Sequence, residues 1–360
     1  MTKEIAVIGA GRIGSVIADM LADTGDYTVT LFDASSEIIA ALQPLAGVMV
    51  RQLDITDDAM LAQALHGKFA VLSAAPFYLT ARIAQAAVKA GVHYLDLTED
   101  VASTGRVRAL AQGARTALIP QCGLAPGFIT IVTSWLAAQF DTLHDVSMRV
   151  GALPEYPSNM LNYNLTWSPD GVINEYCEPC DAIVDGVMRK VTPLENVQEF
   201  SMDGTRYEAF NTSGGLGSIC EMLEGKVRNL NYLTIRYPGH AHLMKFLLRD
   251  LRLAERRDVM KDILEYAVPG TMQDKIIIFV TATGHKDGAF MQKSYASTIH
   301  GMDIGGRPRT AIQVTTAAGI CTVLDMLAKG QIADAGFVYQ ENIKYESFIN
   351  NRFGRVYAQG

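Results

Sequence analysis

Basic charge is what this chain most lacks. Lys and Arg number 31 against 38 Asp and Glu, a formal net charge of −7. A nucleic-acid footprint needs a basic face, and a polybasic membrane surface needs clustered cations, so neither is expected. Cysteine is sparse: five residues, at 122, 177, 180, 220 and 321. An odd, scattered set fits reduced thiols in the cytoplasm rather than a disulfide framework. The single CxxC, Cys177–Cys180, has no second pair and no nearby His, so no metal site is expected. No apolar run approaches the roughly 20 residues of a membrane span, and no signal peptide is visible before the first strand. What the chain does have is 49% hydrophobic and 19% charged residues over 360 positions, the balance of a globular protein of about two domains.

The most informative stretch is Gly9-Ala10-Gly11-Arg12-Ile13-Gly14. It follows an apolar run, Ile5–Ile8, and opens a segment with apolar residues at 13, 16, 17, 20 and 21, which is helical spacing. A second run, Thr28–Phe32, ends in Asp33, about twenty residues after Gly14. Strand, glycine turn, helix, strand and acid make a dinucleotide-binding fingerprint. Gly9 permits the tight turn, Gly11 lets a pyrophosphate approach the backbone, and Gly14 lets the helix pack closely. The N–H groups of the turn, Arg12 and Ile13 among them, face the phosphates. Asp33 is suited to the ribose hydroxyls, and Ala34-Ser35-Ser36 offers no Arg for a 2′-phosphate. The expected cofactor is therefore NAD rather than NADP.

Residues 1–123 alternate strand and helix. Strands are expected at Gly47–Ile55, Phe69–Ala74, Val92–Leu97 and Thr116–Gln121. Helices are expected after a Thr56 cap, over Leu79–Ala90 and over Val107–Arg115. This is an α/β domain, a doubly wound parallel sheet of the Rossmann type. From Leu124 the pattern changes: a helix over Ile129–Phe140, then period-two segments at Asp145–Val150, Ala182–Val187, Lys275–Thr283 and Ala289–Ile299. Asp287-Gly288 between the last two signals a hairpin. Residues 124–310 thus read as an α+β substrate and dimerisation domain with a mainly antiparallel sheet, whose exposed face a homodimer would cover. Residues 311–360 begin with a long apolar helix, Ala311–Ala328, and end in a polar helical tail over about 339–351.

Several stretches carry chemistry. Ala75-Pro76 and Tyr78 end one strand, and the Tyr78 hydroxyl suits a substrate contact. Asp96, followed by Glu99 and Asp100, ends the next; Asp96 is the better candidate for a base, Glu99 and Asp100 for helix caps. Cys122 lies in the Gly123–Gly127 turn region as a candidate nucleophile. Asn159–Glu175 packs Tyr163 and Trp167 into a polar, aromatic pocket wall. Asn211-Thr212-Ser213-Gly214-Gly215 offers hydroxyl, amide and N–H groups to a carboxylate. Arg236 is a natural fork for a carboxylate, and His240 a candidate proton relay.

Taken together, and in this order, GAGRIG, AAPFY, YLDLTED, GLAPGF, YNLTWSPDGVINEY, EAFNTSGG and RYPGH resemble the saccharopine dehydrogenase (reductase)-like family over almost the whole chain, and within it the lysine 6-dehydrogenases. The resemblance implies NAD on Gly9, Gly11, Gly14, Asp33 and Asp54, with Ala75-Pro76 lining the ribose and nicotinamide side. It implies Arg236 as the substrate-carboxylate anchor, and Asp96, Cys122 and Tyr78 near the reacting centre. It also places the C-terminal helices against the nucleotide domain. Saccharopine reductases tend to carry an acid in the GLxPG turn, where this chain has Ala125. The implied reaction is oxidation of the lysine ε-amine, with water adding to the imine and ammonia leaving; Asp96 or His240 would activate the water. A saccharopine-type oxidation of a secondary amine, or a non-catalytic NAD-binding regulator, are the other readings.

Overall fold

The computed structural model describes residues 2–358; Met1 and Gln359–Gly360, the outer ends of the expected first and last segments, lie outside them. The chain divides into two compact units. Of the described residues, one holds 2–131, 302–309 and 313–358, the other 132–301 and 310–312.

The first unit is built on a seven-stranded parallel sheet. Its first six strands are β1 (Lys3–Ile8), β2 (Tyr27–Asp33), β3 (Val48–Gln52), β4 (Ala70–Ser73), β5 (His93–Asp96) and β6 (Ala117–Ile119). A short strand, Gly336–Phe337, adds to the β6 edge, so the order runs from it through β6, β5, β4, β1 and β2 to β3. The apolar runs that marked β1, β2 and β4 are buried nearly throughout, as expected where helices cover both faces. Strand order reverses between β1 and β4, and there the chain leaves the sheet in opposite directions. The helices are α1 (Gly14–Asp23), α2 (Ser36–Ala41), α3 (Asp58–Leu65), α4 (Thr80–Ala90) and α5 (Val101–Leu110). On α4 the stripe Ile83, Ala84 and Ala87 is buried, and Gly91 ends the helix in a left-handed conformation (φ +67°).

Three boundaries differ from expectation for local reasons. Asp57, not Thr56, caps α3, accepting from the amides of Ala59 and Met60, because the Thr56 hydroxyl is bonded to Asp54. The helix expected from Val107 starts at Val101, because Asp100 caps it through the Ser103 amide at 2.6 Å. The polar tail is a 3-10 turn (Gln340–Asn342) and a short helix (Tyr345–Ile349) rather than one helix.

Helix α6 (Phe128–Ala137) leads into the second unit, whose eight-stranded sheet is mostly antiparallel. Its strands are β7 (Thr142–Pro154), β8 (Cys180–Val184), β9 (Val187–Val191), β10 (Gln198–Met202), β11 (Thr205–Asn211), β12 (Asn229–Arg236), β13 (Asp274–Lys286) and β14 (Ala289–His300). The main path is β10-β11-β12-β7-β13-β14, with β8 on β12 and β9 on β8; only β7 and β12 run parallel. The expected β13–β14 hairpin turns at Asp287 and Gly288, both with positive φ. Ala182–Val187, expected as one strand, is split: Ala182–Val184 end β8, Asp185 and Gly186 turn at positive φ, and Val187 begins β9. Helix α7 (Pro169–Cys177), with Pro169 in its first turn, forms the second half of the Asn159–Glu175 stretch. A core of Tyr163, Val172, Tyr176, Phe210, Met244 and Leu264 holds α7 and the 159–168 loop in place. Helix Ala311–Ala328 alone among the described residues is long and apolar enough to cross a membrane, and 78% of that stretch is buried.

Candidate functional site

In the first unit the site grows from missing side chains. Gly9 sits at φ +101°, and a Cβ there would lie 2.6 Å from the Ala74 carbonyl oxygen at the end of β4. A Cβ on Gly14 would run into the Gly9 carbonyl. Both positions are closed by the protein itself. Gly11 is the opposite case: a Cβ there meets nothing within 4 Å, so its openness serves whatever approaches from outside. The amides of Gly11, Arg12 and Ile13 have no protein acceptor among the described residues, whereas Gly9 N bonds Phe32 O and Ala10 N bonds Asp33. Three free N–H groups at a helix start form an anion cradle, and this one fits a dinucleotide pyrophosphate.

Asp33 is held on both oxygens, accepting from Ala10 N at 2.8 Å and Ser35 N at 2.9 Å, which fixes its carboxylate against the glycine turn. Asp54 is exposed and accepts from the Thr56 hydroxyl and amide; these bonds, the hydroxyl's foremost, hold its carboxyl below the ordinary range. Ala75 is half-buried and Pro76 exposed after β4. Tyr78 is 65% exposed and touches Phe77 edge-on.

Asp96, at the end of β5, is fully committed. It is buried and accepts from the Tyr94 hydroxyl (2.8 Å), Thr98 N (2.9 Å) and Gln121 N (3.0 Å). Burial lifts its pKa to about 6 in spite of the three donors. Cys122, whose amide bonds the Asp96 carbonyl, gives its thiol to Ile119 O and accepts from Gln340. Burial and the Asp96 charge push that thiol well up, so it is a neutral structural group, not the thiolate a nucleophile requires. Glu99 stands apart: among the described residues it makes no hydrogen bond or ion pair, and burial next to Asp100 raises its pKa to about 7. Asp100 is the helix cap that the sequence offered as a role for both acids; Glu99 is not, and sequence reasoning had set it aside.

In the second unit a buried cation organises the site. Arg236, the last residue of β12, is 2% exposed. Its Nε donates to the Tyr176 hydroxyl at 2.9 Å and its Nη1 to the Ile235 carbonyl at 2.8 Å, and among the described residues Nη2 has no hydrogen-bond partner. The Tyr176 hydroxyl pairs in turn with His240 Nε2 at 3.1 Å, and His240 Nδ1 donates to Leu161 O at 2.8 Å. That last bond assigns the ring proton to Nδ1 and leaves Nε2 as acceptor. The chain of donors runs one way, Arg236 to Tyr176 to His240, and aims the guanidinium. Burial, then the Arg236 charge, depress His240 to about 3. Held neutral, it orients Tyr176 through its Nε2.

Tyr163 joins this group, its ring 5.3 Å from the guanidinium carbon, and Trp167 packs in the same core. Asn211 and Thr212 are spent on structure: Asn211 Nδ2 donates to Thr192 O, and the Thr212 hydroxyl to the Glu175 carbonyl at the end of α7. The Thr212 bond braces the helix that carries Tyr176. Tyr176, the last residue of the YNLTWSPDGVINEY block, is the residue here to which the sequence assigned no role; it stands one residue past the polar-aromatic stretch already singled out.

Two family models cover nearly the whole chain: the saccharopine dehydrogenase NADP binding domain over residues 5–119 and the saccharopine dehydrogenase C-terminal domain over residues 123–353. The chain belongs to the saccharopine dehydrogenase family. Its first unit is accordingly of the pyridine-nucleotide-binding kind, and the family model describes NADP where Asp33 pointed to NAD. Among curated relatives, the mitochondrial alpha-aminoadipic semialdehyde synthase of Mus musculus is 21% identical over 66% of this chain and 27% of that protein. Saccharopine dehydrogenase (NADP(+), L-glutamate-forming) of Saccharomyces cerevisiae is 23% identical over 48% of this chain and 40% of that protein. The matched segments thus span well under half the length of these relatives. The solved apo saccharopine dehydrogenase (L-Glu forming) from Saccharomyces cerevisiae superposes with a TM-score of 0.79 at 15% identity over 95% of both chains, a likeness of fold.

Proposed function

We propose that this family member oxidises an amino-acid amine, and specifically the ε-amine of L-lysine with NAD, yielding ammonia and a semialdehyde that cyclises to piperideine carboxylate. Arg236 carries the reading: a buried guanidinium, aimed by Tyr176 and His240 and left with an unspent donor, is suited to a substrate carboxylate. Ala125 in the GLAPG turn supports the lysine branch, and Asp33, held in place with no Arg in residues 34–36, supports NAD.

The nucleotide, when bound on the glycine turn, supplies the hydride acceptor. The chain's own residues must orient the substrate and handle protons. Arg236 holds the carboxylate. The ammonium must lose a proton before its carbon gives up a hydride, since only the neutral amine has the lone pair that forms the iminium. Water then adds to that carbon and ammonia leaves. Glu99, a carboxylate without a partner and with a pKa near neutrality, is better suited to accept a proton than Asp96, whose oxygens are already taken.

Purified protein with L-lysine and NAD should form NADH and ammonia in equal amounts. Release of glutamate from saccharopine, with lysine inert, would favour instead the secondary-amine oxidation that the relatives' names describe. We also propose a cytoplasmic homodimer, supported by five free thiols and by the half-exposed residues alternating along edge strand β14; light scattering reads the assembly.

A further inference from the structure

The glycine turn has a prop that its own stretch of sequence does not contain. Gly11 O accepts from Ser15 N at 3.1 Å and Ile13 O from Ile17 N at 2.9 Å, the i+4 pattern by which α1 takes over the chain. Between them, among the described residues, no backbone amide donates to the Arg12 carbonyl. That oxygen is met by side chains instead: Gln313 Nε2 donates to it at 3.2 Å, and the Ser15 hydroxyl at 3.4 Å. Gln313 stands 301 positions from Arg12, in the first turn of helix Ala311–Ala328.

From Gln313 onward that helix belongs to the first unit, and it is fixed there at two further points. A Cβ on Gly319 would lie 2.6 Å from the Cys122 carbonyl oxygen, so the helix backbone packs directly on the chain that follows β6. The Cys321 thiol donates to the Ile17 carbonyl of α1 at 3.9 Å. Val314, Ala317, Ala318 and Cys321 are buried, whereas Gln313 is half-buried. Packing the helix does not call for an amide at 313; the Arg12 carbonyl does.

What the bond controls follows from the peptide plane. The Arg12 carbonyl and the Ile13 N–H are two ends of one planar trans peptide and point in opposite directions. Holding the oxygen from the side of Gln313 turns the N–H the other way. Ile13 N is one of the three cradle amides without a protein acceptor among the described residues. A hydrogen bond at the oxygen also polarises the peptide and strengthens its N–H as a donor. The shape of the turn is local, but the aim of this N–H is not.

We propose that Gln313 is a positioning residue for nucleotide binding: by holding the Arg12 carbonyl, its Nε2 aims the Ile13 N–H at the pyrophosphate. The proposal rests on the glycine turn as the pyrophosphate cradle and adds to it a group from far along the chain.

The test uses the full chain with NADH and NADPH, followed by fluorescence titration, and adenosine, followed by its displacement of the bound dinucleotide. Gln313→Met removes the donor at nearly the same volume. It should raise the dinucleotide Kd about fivefold, the worth of one hydrogen bond. Gln313→Asn keeps an amide but falls one methylene short of the Arg12 oxygen, and should give the same loss. Adenosine has no phosphate for the Ile13 N–H to meet, so its inhibition constant should be unchanged in both variants. Ligand-free melting temperatures should stay within about 3 °C of the unaltered protein. A dinucleotide Kd unchanged in both variants overturns the proposal and leaves the cradle. An adenosine constant that rises as much as the Kd, or a larger fall in melting temperature in both variants, also overturns it, because the residue then merely holds the helix in place. Failure of the unaltered protein to bind either dinucleotide overturns the cradle and the proposal with it.

Discussion

The glycine turn of the first unit and the Arg236 cluster of the second are built on opposite principles. The turn works by what is absent: no Cβ at Gly9, Gly11 and Gly14, and amides left without acceptors. Its parts lie within six consecutive residues, plus Asp33. The Arg236 cluster works by what is present. A cation, two phenols and an imidazole are drawn from positions 163, 176, 236 and 240 and buried together. A turn made of backbone is specified locally. A buried charge is tolerable only if distant residues supply its partners, so it is specified globally.

The comparison is broken most directly at the glycines. Gly14→Val should abolish nucleotide binding, a loss of at least a hundredfold by fluorescence titration, and should lower the melting temperature, since its side chain meets the Gly9 carbonyl. Gly11→Ala should leave the melting temperature in place and still weaken the nucleotide, about tenfold, because its Cβ meets only the ligand's space. Equal melting losses in the two would mean that the three glycines do one job. Next in size is Arg236→Leu, which should raise the apparent KM of the carboxylate substrate about a hundredfold with a smaller effect on kcat. An unchanged KM removes the anchor.

His240→Phe sharpens the contrast, since it deletes an orienting group and not a charge. KM should rise about tenfold while the pH profile between 5 and 8 keeps its shape. Loss of a limb near neutrality in this variant would restore the proton relay. Stability carries the same signature. His240 stays neutral in the fold down to about 3, while an unfolded His takes up a proton near 6.5. Its contribution is therefore present above 6.5 and is lost as pH falls through the window from 6.5 to 3. Denaturant midpoints measured across that window should fall more steeply in the unaltered protein than in His240→Phe. Glu99→Gln should instead remove an acid limb near pH 7 from kcat/KM. The smallest effect is expected at Asp33: Asp33→Ser should move the NAD over NADP preference a few-fold toward NADP, and an unmoved ratio takes away the argument for NAD.

Much of the first unit was legible in the chain. Parallel strands buried on both faces announce themselves as apolar runs, and the turn between β1 and α1 is spelled in consecutive residues. The short strand Gly336–Phe337 escaped because two residues carry no period, and its place on the β6 edge depends on a partner more than two hundred positions earlier. In the second unit the hairpin at Asp287-Gly288 was visible through its turn residues. The β10–β11 hairpin, turning at Asp203 and Gly204, carried the same kind of signal and was passed over. Arg236 was legible as a fork, yet the reason it points one way lies in Tyr176 and His240. The acids after β5 show the limit most plainly. Asp96 and Glu99 are three residues apart and chemically alike, and their roles separate because Tyr94, Thr98 and Gln121 donate to one, while among the described residues no hydrogen-bond donor reaches the other.

By itself, then, the sequence determined the nucleotide fold, its turn and the residue types a carboxylate site requires, because backbone conformation and hydrophobic period are local properties. Only the tertiary structure decided which titratable groups are spent and which are free. Burial and hydrogen-bond partners set protonation and orientation, and those come from residues far apart in the chain.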